Sequence, residues 1–107
     1  MKRIASVIGL DPDNREEYEA YHADVWPEVL QTITACNIRN YSIFRYGDLL
    51  FSYYEYVGDD YEADMAKMAA DSVTQKWWAA QKPLQTRLPD TPDGEQWFPI
   101  PEVFHHD

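Results

Sequence analysis

The chain has 107 residues, 45% of them apolar and 15% aromatic, and a formal net charge of -10. That length supports one hydrophobic core and rules out two independent ones, so residues 1-107 are read as a single domain for which self-association would add buried surface. The acidic field repels phosphate backbones and anionic headgroups, which excludes nucleic acid and membrane surfaces as expected partners.

Lys2 to Leu10 alternates as a strand, with Ile4, Ser6 and Ile8 against Ala5, Val7 and Gly9, until Asp11-Pro12-Asp13 stops it. This start lacks the apolar core and cleavage site of a signal peptide, and no run approaches the ~20 apolar residues of a bilayer span, so a cytoplasmic location is expected. Asn14 with Glu17 three residues on resembles a capping box, and Tyr18, Tyr21, His22, Val25 and Trp26 recur at helical spacing. Pro27 cannot donate to the carbonyl of Ala23 and disfavours helical geometry at Trp26, which predicts a kink or a fresh helical turn in a long, bent helical region. Val29, Leu30, Ile33 and Thr34 continue its apolar stripe to Cys36, the only cysteine, which has no partner for a disulfide and is read as a small buried residue.

Asn40 to Tyr46 and Leu49 to Val57 predict an antiparallel hairpin around Gly47-Asp48. Tyr61 to Ala70 and Ser72 to Gln81 predict helices, with Asp60 and Asp71 as N-caps. The proline-rich stretch Leu84 to Pro101 reads as a covering loop in which Trp97 and Phe98 seek burial, and Glu102 to His105 as a short final strand. Strand, helix, strand, strand, helix, strand is the split βαβ order, so the expected fold is α+β, ferredoxin-like βαββαβ, with an antiparallel sheet and helices on one face. The other face needs cover, which sheet-to-sheet dimerisation would supply.

His22 is the only histidine inside a regular element, and imidazole exchanges protons near neutral pH. Tyr18 and Trp26 flank it at four-residue spacing, which makes a functional face or a helix-sheet packing seam. Trp77 and Trp78 are adjacent on a helix and point about 100 degrees apart, so one can be core while the other lines a pocket. An indole face stacks on the C–H face of a sugar. Tyr41 shares a strand face with Ile43 and Arg45 and is a candidate polar lining or an exposed strand start. His105, His106 and Asp107 read as a frayed terminus rather than a metal site, and no phosphate cradle or nucleophile elbow is present.

Glu17-Tyr18, His22, Trp26-Pro27-Glu28, Tyr41, Trp77-Trp78 and the ending Glu102-Val103-Phe104-His105 together resemble the L-rhamnose mutarotases nearly end to end. The resemblance implies a dimeric α+β barrel of ferredoxin-like subunits, a homodimer that interconverts the α and β anomers of a 6-deoxy sugar without metal or organic cofactor. It implies His22 as the proton donor and Tyr18, Tyr41, Trp77 and Trp78 as sugar-binding residues. Tyr21 and the tyrosine-rich third strand, with Tyr53, Tyr54 and Tyr56, depart from that pattern and bear on which sugar is taken.

Mutarotation protonates the ring oxygen while a base removes the anomeric hydroxyl proton, and the ring then closes on the other face of the aldehyde. Protonated His22 is expected to serve the ring oxygen, with Tyr18 and Tyr41 orienting hydroxyls and Glu28, Glu102 or water as the opposing base. An L-fucose-preferring mutarotase is one alternative. A non-catalytic small-molecule-binding barrel or a cofactor-free oxygenase is another, because one fold hosts many functions.

Overall fold

Period-two alternation places β1 (Lys2–Leu10) at the centre of the sheet in a computed structural model that describes residues 1–107. β1 pairs antiparallel with β3 (Leu49–Tyr56), from Lys2 opposite Tyr56 to Gly9 opposite Leu49. On the far side of β3 lies β2 (Ile38–Tyr46), joined to it by a two-residue turn at Gly47, whose φ of 58° suits a residue without a Cβ.

The free edge of β1 carries two short strands, β4 (Gln85–Thr86) and β5 (Phe98–Ile100). β4 approaches so closely that a Cβ at Gly9 would lie 2.7 Å from the carbonyl oxygen of Thr86. The closing strand is therefore not Glu102 to His105, as the sequence suggests, but Phe98–Ile100, within the stretch read as a loop. Pro99 is tolerated because β5 is an edge strand, and Pro101 supplies no N–H to extend it. Glu102–Asp107 has no regular structure; Arg3 ties it to β1 through Glu102 at 2.9 Å.

Between β1 and β2 the expected bent helix is two helices, α1 (Arg15–Ala23) and α2 (Pro27–Ala35). Trp26 is extended (φ -58°, ψ 129°), as a residue before proline prefers, and Pro27 opens α2, where its missing N–H has no helical partner to lose. The capping box does not form: Asn14 makes no cap bond, its side chain reaching the carbonyl of Leu84 instead. A left-handed Asn37 (φ 67°) ends α2 and starts β2 at Ile38, two residues earlier than the pattern indicates. After β3 come α3 (Tyr61–Ala70) and α4 (Ser72–Gln81), capped as expected by Asp60 on Ala63 and Asp71 on Thr74.

Register decides the two sheet faces. Ile4, Ser6 and Ile8 lie opposite Tyr54, Ser52 and Leu50 on the inner face, where Ile8, Leu10 and Leu50 pack against Tyr18 of α1 and Leu84. Cys36 is fully buried. The outer face presents Val7, Phe44 and Phe51, with Phe44 63% and Tyr46 at the sheet edge 78% exposed.

Candidate active site

A cavity of about 910 Å³ opens between the inner sheet face and the helices. Tyr18, His22, Tyr41, Trp77 and Trp78 all border it, so residues from α1, β2 and α4 converge on one space. Its size and mixed lining are those of a small-molecule site.

His22 sits one turn after Tyr18 on α1. The two rings stack with centroids 4.1 Å apart, and His22 Nδ1 lies 2.8 Å from the Tyr18 carbonyl oxygen. A carbonyl only accepts, so Nδ1 carries the hydrogen and donates it, leaving Nε2 with its lone pair in the neutral ring. Burial holds the imidazole below its ordinary 6.5, partly opposed by the bond to Tyr18. Burial thus favours the neutral imidazole, whereas the sequence reading has the protonated ring act on the ring oxygen.

Tyr18 is 3% exposed, and burial pushes its phenol up to about 12, so its hydroxyl stays protonated and can donate. Trp77 is 7% exposed, with its ring edge-on to those of His22 (5.3 Å), Tyr21 and Trp26. Trp78 is 37% exposed. The adjacent indoles divide their work as helical geometry requires: Trp77 is packed and Trp78 open, although both touch the cavity. Trp26 does not share the His22 helix face, because the chain breaks between them; its ring supports Trp77 instead.

Tyr41 reaches the cavity through a β-bulge. Arg39 pairs with Glu55 and Ser42 with Tyr53, so Asn40 (φ 51°) and Tyr41 share the single position opposite Tyr54. The Tyr41 and Tyr54 rings meet at 5.3 Å, and the Tyr54 hydroxyl bonds that of Tyr61 at 2.5 Å. Burial, then the bond to Tyr61, raises the Tyr54 phenol strongly. Arg45 is not part of this lining: it pairs with Glu19 of α1 at 3.1 Å.

Sequence reasoning named Tyr54 only as a departure bearing on the sugar and missed Gln81, Gln85 and Glu95; all four border the cavity. Tyr54 was detectable as the strand position in phase with Ser52 and Ile4. Gln81 was detectable as the residue one turn beyond Trp77. Glu95 had no local signal, because it arrives on the irregular segment between β4 and β5. Glu28 and Glu102 lie outside the cavity, one exposed on α2 and the other paired with Arg3; Glu95 is the one carboxylate on its wall. His105 bonds Asp107 at 2.7 Å in the exposed tail, and neither borders the cavity.

Comparison with known proteins matches the chain to a family. The sequence model of a family described as L-rhamnose mutarotase matches residues 3–106. The chain is 37% identical to the L-rhamnose mutarotase of Oceanobacillus iheyensis over 110 aligned positions, covering 100% of both chains. It is 34% identical to the L-fucose mutarotase of Xanthomonas campestris, covering 97% of this chain and 87% of that one. The crystal structure of the L-rhamnose mutarotase of Formosa agariphila superposes with a TM-score of 0.79 at 25% identity, covering 100% of both chains. With a full-length match in sequence, in relatives and in fold, the chain belongs to the L-rhamnose mutarotase family.

Proposed function

We propose that this protein interconverts the α and β anomers of L-rhamnose, with His22 as the proton-transfer group. The observation that carries the assignment is the cavity wall itself, where a half-buried imidazole with one committed and one free nitrogen stands among indoles and phenols. Neutral Nε2 removes the proton of the anomeric hydroxyl, the bond from C1 to the ring oxygen breaks, and the imidazolium returns the proton to that oxygen. The free aldehyde turns about the bond from C1 to C2, and the reverse sequence closes the ring on the opposite face. Because one nitrogen gives back what it takes, protons balance without a second protein base; Glu95 and water are auxiliaries. A positioned proton transfer contributes ~10²- to 10⁴-fold, ample for a reaction that already proceeds unaided.

Tyr18, held protonated by burial, donates to a sugar oxygen, and Tyr41 orients a hydroxyl beside it. Trp77 and Trp78 receive the C–H face and the methyl group. L-Fucose is the second substrate reading, favoured by the likeness to the Xanthomonas campestris enzyme.

The working unit is a homodimer. Exposed Phe44 and Tyr46 beside Phe51 make an apolar sheet face that a second copy would cover. A cytoplasmic setting accords with the single unpaired Cys36 and with the lack of any helix long and apolar enough to cross a membrane.

The test is saturation transfer between the two anomeric proton signals, run on L-rhamnose, L-fucose and D-glucose. Faster exchange than in buffer with L-rhamnose is expected. No acceleration with any of the three overturns the assignment.

A further inference from the structure

The last residue of α4, Gln81, is 4% exposed, and neither Oε1 nor Nε2 of its side-chain amide has a hydrogen-bond partner in the protein. Such groups are uncommon, because burying an amide without replacing its bonds to water is unfavourable. This one borders the same cavity as His22 and follows Trp77 by one helical turn. Its neighbours on that wall are differently occupied: Gln85 accepts from Gln96 at 3.4 Å, while Trp77 is packed among aromatic rings. Gln81 is therefore a donor and an acceptor held side by side, desolvated and uncommitted.

We infer that Gln81 is a specificity-determining residue that binds two adjacent ring hydroxyls of the sugar, donating from Nε2 to one and accepting at Oε1 from the other. A hydroxyl pair matches an amide because one oxygen can accept while its neighbour donates. The match depends on the relative orientation of the two hydroxyls, which is what distinguishes diastereomeric sugars: L-rhamnose and L-fucose differ at C2 and C4. Indole walls recognise the apolar face of either sugar, so the discrimination falls to polar groups such as this amide. The inference rests on the mutarotase reading and adds the contact that selects the substrate.

Two variants and a set of 2-, 3- and 4-deoxy analogues of L-rhamnose test it. Gln81→Met keeps the shape and removes both polar atoms; Gln81→Glu keeps an acceptor and removes the donor. Each is expected to lower kcat/KM for L-rhamnose by ~10-fold or more, with the loss in KM. The melting temperature of Gln81→Met should be unchanged or raised, since the amide it removes is unpaired in the free protein. Wild-type protein should lose a similar factor against at least one deoxy analogue, and Gln81→Met should not distinguish that analogue from L-rhamnose. An unaltered KM in both variants, or a wild type indifferent to every deoxy analogue, overturns the inference. A drop in melting temperature with KM unchanged would make Gln81 structural. A wild type that accelerates no sugar defeats the mutarotase reading itself, a separate outcome visible before any variant is made.

Discussion

Tyr18 holds His22 twice over: its ring stacks on the imidazole at 4.1 Å, and its backbone carbonyl accepts from Nδ1 at 2.8 Å. One contact sets the plane of the imidazole and the other selects its tautomer. The consequence is a single uncommitted nitrogen on a ring that borders the cavity.

His22→Ala should therefore slow anomer exchange by ~10²- to 10⁴-fold, measured by saturation transfer at pH 7. In the wild type, exchange should rise with pH through a pKa below 6.5 and level off toward neutrality, because the neutral imidazole starts the cycle. A rate that instead climbs as pH falls below 6 would mean that the protonated ring acts first. The same burial has a stability sign. The unfolded imidazole binds a proton more readily than the folded one, so the His22 contribution is present above 6.5 and declines as pH drops from there to the folded pKa.

Tyr18→Phe removes a donor without disturbing the stacked ring. Affinity for L-rhamnose should fall by ~10-fold, as for loss of one hydrogen bond in a desolvated site, with little change in melting temperature. Since burial pushes the Tyr18 phenol up to about 12, the wild-type rate should show no decline from its ionisation up to pH 10. A pH-rate titration extended to 10 checks this.

The two indoles should separate in a stability measurement. Trp77→Ala empties a packed position, 7% exposed, and should destabilise the fold by ~3–5 kcal/mol in urea titrations. Trp78→Ala, at a residue 37% exposed, should leave most of that stability and act mainly on KM.

A hydrogen-bonded cluster around Asp64 bears on acid stability. Asp64 accepts from the Tyr56 hydroxyl at 2.5 Å and from Asn37 at 3.0 Å, and these bonds, in that order, hold its carboxyl below its ordinary 3.8. A lowered carboxyl contributes stability that is present above 3.8 and lost as pH falls through the folded value. Melting temperature plotted against pH should therefore fall below 3.8 in the wild type. In Asp64→Asn the curve should be lower at pH 7 and flatter at acid pH.

If the outer sheet face joins two copies, Phe44→Glu should place an uncompensated charge in that interface and yield monomers in sedimentation velocity. A wild type that already sediments as a monomer removes the dimer from the proposal.

Local pattern was enough for much of this protein. Period-two runs named β1, β2 and β3, Asp60 and Asp71 announced α3 and α4, and the resemblance carried by His22, Tyr41 and Trp77-Trp78 implied one shared site, residues that do border one cavity. These features are legible because alternation, capping and proline geometry act over a few residues. Pro27 showed the same locality: it announced an interruption, and the extended Trp26 made that interruption a full break.

What depended on distant parts of the chain was not legible. The closing strand fell to Phe98–Ile100 rather than Glu102 to His105, because pairing with β1 is set by the length of the loop that returns the chain, not by its composition. The bulge at Asn40 and Tyr41 came from register against β3, and the lowered pKa of His22 from its burial. Glu95 and the unpaired amide of Gln81 came to the cavity wall only when four helices and five strands enclosed one cavity. Residue types and spacings are properties of the chain, whereas desolvation is a property of everything packed around a group, and it exists only after folding.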